Sequence, residues 1–155
     1  MSLSVLKNPS VQVMSLFNRD RVLVPLDFSD EAFAAIAESL AFVEGPSHLH
    51  VLHVLQKLEV TEPGMVWNTL DLQTRIQNVE TAFYHRCDAP VYRQINFYVA
   101  IGDAAAEIID YAAKQSISLI VIPSRGRTGL SRFLLGSVAE RVVRFAHCPV
   151  LVLRK

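Results

Sequence analysis

The sequence predicts an α/β fold, a five-stranded parallel, doubly wound (Rossmann-like) sheet with helices on both faces. Three observations carry that reading. Five short runs rich in β-branched and aliphatic residues alternate with four segments of helical period, giving the order β-α-β-α-β-α-β-α-β; parallel strands joined by right-handed crossover helices are the packing that order favours. Hydrophobic residues make up 51% of the 155 positions, a share that fits strands buried on both faces or surface covered by a partner. The loops after the first and fourth runs carry charged and glycine residues, which suits a ligand crevice where the strand order reverses.

Residues Met1 to Asn18 show no clear element and read as an N-terminal arm, with one domain over residues 19–155. They lack the basic start and continuous apolar core of a signal peptide. Arg21 to Leu26 reads as the first strand, with Pro25 marking where its ladder bonds stop. Ser29 is the expected cap of the next helix, and Asp30 and Glu31 sit in its first turn, where acidic side chains suit the helix dipole. Phe33, Ile36, Ala37, Leu40 and Ala41 recur at helical spacing as its buried face. Asp27, at the end of a buried strand, is either a ligand-facing carboxylate or a turn former.

His48 to Leu55 forms the second strand. His48 and His50 fall on one face, but nothing nearby completes a metal ligand set, so they read as packing or edge residues. Residues 56–68 are polar and irregular and hold Trp67, a lid or core anchor. Leu72, Ile76, Val79 and Phe83 then make one helical stripe. Val91 to Ala100 reads as the third strand, and Gly102-Asp103 as a turn and cap before a helix facing inward through Ala105, Ile108, Ile109 and Ala112.

Leu119 to Ile122 is the fourth strand, ended by Pro123. Its loop carries Arg125, Arg127 and Arg132 with Gly126 and Gly129, and reaches Gly136-Ser137, where Ser137 and Glu140 have capping-box spacing. Bare helix amides, close backbone approach at glycine and guanidinium charge together suit an anion. An ordinary strand–loop–helix connection with solvated arginines is the other reading. The helix runs to about Ala146, and Val150 to Leu153 is the last strand. Adjacent His147 and Cys148 diverge and form no catalytic pair.

Lys plus Arg number 15 and Asp plus Glu 15, so charge gives no general pull toward nucleic acid or anionic membrane. No apolar run approaches the ~20 residues of a membrane span. Two cysteines make no disulfide framework and point to a reducing, cytoplasmic setting.

Three stretches carry a family resemblance: VPLDFS at the first strand, LHVLHV at the second, and RGRTGLSRFLLGSVAERVV followed by CPVLVLR. The chain resembles the universal stress protein family over roughly Asp20 to Arg154. The resemblance implies strand order 3-2-1-4-5 and a homodimer paired through the last strand, residues 150–153. It also implies ATP binding, whose pattern is G-x2-G-x9-G-[ST]; Gly126 and Gly136-Ser137 match, and Pro123 stands at the first glycine. By that pattern adenine and ribose lie near Pro25, Leu26, Asp27, Val54 and Ile122. Phosphates lie on Ser124, Gly126, Gly136, Ser137 and Val138, with Gly129 and Arg125 added by the loop argument, and Mg²⁺ accompanies a bound triphosphate. The expected function is an ATP-binding regulatory module of the stress response. A slow ATPase and a nucleotide-free dimeric interaction protein are the alternatives; no general base or water-positioning residue stands out for efficient hydrolysis.

Overall fold

The computed structural model describes residues 17–58, 68–125 and 134–154. The strands are β1 (Val22–Leu26), β2 (Leu49–Leu55), β3 (Asn96–Ile101), β4 (Leu119–Pro123) and β5 (Val150–Leu153). Between them lie the helices α1 (Asp30–Phe42), α2 (Asn68–Arg86), α3 (Ala104–Lys114) and α4 (Ser137–Phe145). All pairings are parallel, in the order β3-β2-β1-β4-β5.

Strand periodicity divides the core into two layers. Val22, Val24 and Leu26 of β1, with Leu119 and Val121 of β4, pack under Ala35 and Ile36 of α1 and Phe83 of α2. Leu23, Ile120 and Ile122 face the opposite way, against Ile108 of α3 and Ala139 and Val142 of α4. Phe83 is fully buried, and its ring stacks on Phe97 of β3 with centroids 4.2 Å apart. Ser29 caps α1 by accepting from the Ala32 amide at 3.2 Å. Asp103 caps α3 by accepting from Ala106 at 3.0 Å.

Several local expectations are corrected. The third strand starts later than its pattern implies, because Pro90–Gln94 forms a 3₁₀ turn and only Asn96–Ile101 pairs with β2. His48 belongs to a 3₁₀ turn before β2, with Nδ1 2.8 Å from the Asp20 carbonyl, so it shares no strand face with His50. The buried face of α1 is Ala32, Ala35, Ile36 and Ser39. Phe33 and Leu40 flank it half-buried, and Ala37 and Ala41 face solvent. Small side chains let this helix lie close to the sheet, so side-chain bulk outweighed hydropathy in choosing the face. Ser137 is not a cap: Gly136 occupies that position, no side chain bonds the first turn, and Ser137 is the first helical residue.

Pro25 lies inside β1 rather than at its end. Pairing with β2 continues through Pro25–Leu52 and Leu26–His53. Pairing with β4 stops at Leu23–Ile120. Beyond that point β1 and β4 separate at their C-terminal ends, and proline, having no N–H, loses no ladder bond there. Strand order also reverses between these two strands, and this is where a doubly wound sheet opens its crevice.

Candidate functional site

A cleft of about 610 Å³ occupies that opening. Its floor and near wall are the strand ends Pro25, Leu26, Asp27, Val54 and Ile122, and its far wall is Arg125 with Gly136, Ser137 and Val138 at the start of α4. Nine of the residues singled out in the sequence therefore meet in one place. Ser124 does not join them; it lines a smaller adjoining hollow of about 230 Å³ on the α1 side. Its backbone builds the junction instead, the amide donating to the Leu153 carbonyl and the carbonyl accepting from the Gly136 amide, both at 2.8 Å. That second bond ties the start of α4 to the end of β4. Gly126 and Gly129, like Trp67 and residues 1–16, lie outside the described residues.

The two walls differ in chemistry. Leu26, Val54 and Ile122 present an apolar surface. Across from them, the amides of Ser137, Val138 and Ala139 in the first turn of α4 have no acceptor within the helix, and the positive end of its dipole faces the same way. Arg125 and Arg75 add two guanidinium groups to the lining, and Asp27 adds one carboxylate. Arg75, from α2, donates to the Gln56 carbonyl at 3.1 Å.

Asp27 forms the turn weighed for it and also lines the cleft. Its Oδ1 accepts from the amide of Ser29 at 3.0 Å and from the Ser29 hydroxyl, an Asx turn, while the residue also lines the cleft. Phe28, between them, has φ 63°. A bulky residue rarely adopts this left-handed conformation, and such strain concentrates at functional turns. It carries the chain from the strand into α1 while keeping Asp27 at the cleft.

Sequence reasoning missed His53, Arg75 and the α3 residues Ala104 and Ile108, which also line the cleft. His53 was legible in principle, because it directly precedes Val54 at the end of β2. Its Nδ1 lies 2.7 Å from the Leu26 carbonyl. Burial pushes the imidazole below the ordinary histidine value, against the opposing pull of that carbonyl and of Asp27. Arg75 had no comparable signal, since only tertiary folding carries α2 over the strand ends.

Among the described residues no group of three His, Cys, Asp or Glu side chains could hold a metal ion. Burial raises the thiol pKa of both Cys87 and Cys148, which disfavours the reactive thiolate. Among the described residues no helix is long and apolar enough to cross a membrane.

Comparison with known proteins agrees with this architecture. The model of the universal stress protein family matches residues 18–154. Universal stress protein YxiE of Bacillus subtilis is 32% identical over 152 residues, covering 90% of this chain and 100% of that protein. Among solved structures, universal stress protein UspA from Lactobacillus plantarum superposes with a TM-score of 0.67 at 25% identity, over 88% of this chain and 99% of that one. A universal stress protein solved in complex with cAMP shares the fold, with a TM-score of 0.60 at 19% identity over 90% of this chain and 98% of that one. With its sequence stretches, its strand order and its matching relatives in agreement, the chain belongs to the universal stress protein family.

Proposed function

We propose that the protein is an adenine-nucleotide-binding regulatory module of the stress response, with ATP as its ligand. The observation that carries this reading is the pairing of chemistries across one cleft: an apolar strand-end wall for a base, and helix amides with Arg125 for phosphates. The cleft's 610 Å³ falls within the range of small-ligand sites, roughly 300–1,000 Å³. That a universal stress protein of this fold holds cAMP, another adenine nucleotide, supports the ligand class. Pro123 costs one amide at the end of β4, but the amides of α4, where phosphate charge is concentrated, remain.

Mg²⁺ enters with the triphosphate, whose phosphate oxygens are its customary ligands. The role is binding, with hydrolysis slow at most. His53 is the sole neutral imidazole described in the cleft, and its ring is held by a backbone carbonyl rather than placed to activate water. The working unit is a cytoplasmic homodimer paired through β5, with residues 19–155 as its domain and residues 1–18 as an arm. The reducing cytoplasm suits two unpaired cysteines.

Titration calorimetry with Mg·ATP is the direct test, expecting saturable heat and a melting shift. Mass spectrometry of the purified protein should find co-purified adenine nucleotide. No heat and no shift at millimolar ATP would replace this reading with the nucleotide-free interaction protein.

A further inference from the structure

Away from the cleft, strand alternation puts His50 and Leu52 of β2, and Tyr98 of β3 beside Leu52, on the face covered by α3. There His50, Tyr98 and Tyr111 of α3 form a chain of three rings, none of which lines the cleft. Tyr98 is 54% exposed, and its ring stacks on that of Tyr111 with centroids 5.5 Å apart and planes at 30°, a geometry in which two aromatic rings touch. Behind it the half-buried Tyr111 hydroxyl lies 2.9 Å from Nδ1 of His50. A phenol is the stronger donor and an imidazole nitrogen the stronger acceptor, so the hydroxyl donates and the ring carries its own proton on Nε2. Burial, and then the charge of Arg21 before β1, hold His50 below the ordinary histidine value, so at neutral pH the ring is free to take a proton. Burial raises Tyr111 and keeps it a phenol. Among the described residues no group hydrogen-bonds to the Tyr98 hydroxyl. One tyrosine is therefore open to solution without a base, and the other is shielded with a base on its oxygen.

We propose that Tyr98, Tyr111 and His50 form a relay for one-electron oxidation: a diffusing radical oxidant, such as the carbonate radical anion, is reduced at Tyr98, and the protein radical comes to rest on Tyr111. The inference stands apart from the nucleotide reading of the cleft. The oxidant takes one electron from the exposed Tyr98 phenol and becomes carbonate, and the Tyr98 proton goes to water. The Tyr98 radical then takes an electron from Tyr111 across the stacked rings and regains a proton from water. Tyr111 passes its phenolic proton along the 2.9 Å bond to Nδ1 of His50, which leaves a neutral tyrosyl radical beside an imidazolium. A phenol stripped of one electron is a strong acid, so the base on its oxygen decides which of the two tyrosines keeps the radical. The other charges about the relay are Arg21, which acts on His50, and Lys114 of α3, ion-paired with Asp110 at 2.6 Å and within electrostatic reach of Tyr98.

Flash photolysis with a ruthenium(III) polypyridyl oxidant makes the test, with the tyrosyl radical followed by its absorbance and its electron paramagnetic resonance. Tyr111→Phe removes one hydroxyl, and the signal it loses isolates the share of Tyr111 from that of other aromatic residues. Tyr98→Phe should slow the appearance of that share. His50→Gln keeps an acceptor for the Tyr111 hydroxyl but cannot take its proton; it should fold as the wild type by circular dichroism and slow radical formation by about a hundredfold, the loss of a positioned base. In the wild type the rate should hold steady from pH 8 down to the ordinary histidine value of 6.5 and fall below it, because an imidazolium accepts no proton. In His50→Gln that fall should vanish. An unchanged radical yield in Tyr111→Phe, an unchanged rate in Tyr98→Phe or in His50→Gln, or a wild-type rate indifferent to pH overturns the relay.

Discussion

Gly136 has φ −59° and ψ 150°, values that every residue adopts without strain. Its glycine is therefore not explained by backbone conformation; on the nucleotide reading proposed above, the close approach of phosphate to the start of α4 accounts for it. Gly136→Val should leave the thermal midpoint within about 1 °C of wild type, an effect far below 1 kcal/mol, and weaken ATP binding by at least about tenfold. A variant that binds normally would move the phosphate site away from α4. The capping box spacing at this helix illustrates what single residues conceal. Ser137 and Glu140 have the right separation, yet the helix begins one residue earlier than that pattern requires, with Gly136 as its cap and the Gly136 amide bonded to the Ser124 carbonyl. Asp27 was equally ambiguous, since strand end and turn are the same place.

Asp103 joins two elements. Its carboxylate caps α3 through the Ala106 amide and receives a two-pronged bond from Arg141 of α4, at 2.8 and 2.9 Å. Removing it by Asp103→Ala should destabilise the protein by about 1 kcal/mol through the lost cap; so exposed an ion pair adds little. The Arg141 bond, and then the Ala106 amide, hold the Asp103 carboxyl below its ordinary value. A depressed folded-state pKa gives stability that is present above the unfolded value and lost as pH falls through the folded one. The wild-type advantage in urea denaturation should therefore hold from pH 7 to about pH 5 and narrow below about pH 4. An advantage unchanged down to pH 3 would assign it to something other than the carboxylate. Such element-level features were largely legible: Ser29 and Asp103 both cap as their positions imply, and the Leu72–Phe83 stripe leads to the buried Phe83. The misplaced face of α1 was not, because hydropathy does not distinguish a small residue beneath a helix from one beside it.

At the scale of the whole molecule, alternation of strands and helices gave the parallel sheet, while the strand order came from family resemblance, since pattern alone does not say which strand lies at the edge. That order makes β5 an edge, paired with β4 on one side. Its four residues, Val150 to Leu153, contain no charge, bulge or proline of the kind that keeps an edge strand from pairing. Leu151 is 37% exposed there, and Val143 and Phe145 of the neighbouring α4 are 47% and 55% exposed. Antiparallel pairing of two β5 strands about a two-fold axis would satisfy both edges with one self-complementary surface. Val150 and Val152 already pack on the α3–α4 side of the core, so a charge at either would unsettle the monomer as well as a dimer. Leu151→Lys tests the interface alone, because the native side chain is partly open to solvent within one subunit. Light scattering at micromolar concentration should find wild-type dimers and Leu151→Lys monomers, with unchanged far-ultraviolet circular dichroism and a lower apparent melting temperature once the coupling of folding to association is lost. Wild-type protein that is monomeric at that concentration would mean that β5 is covered by something other than a second copy.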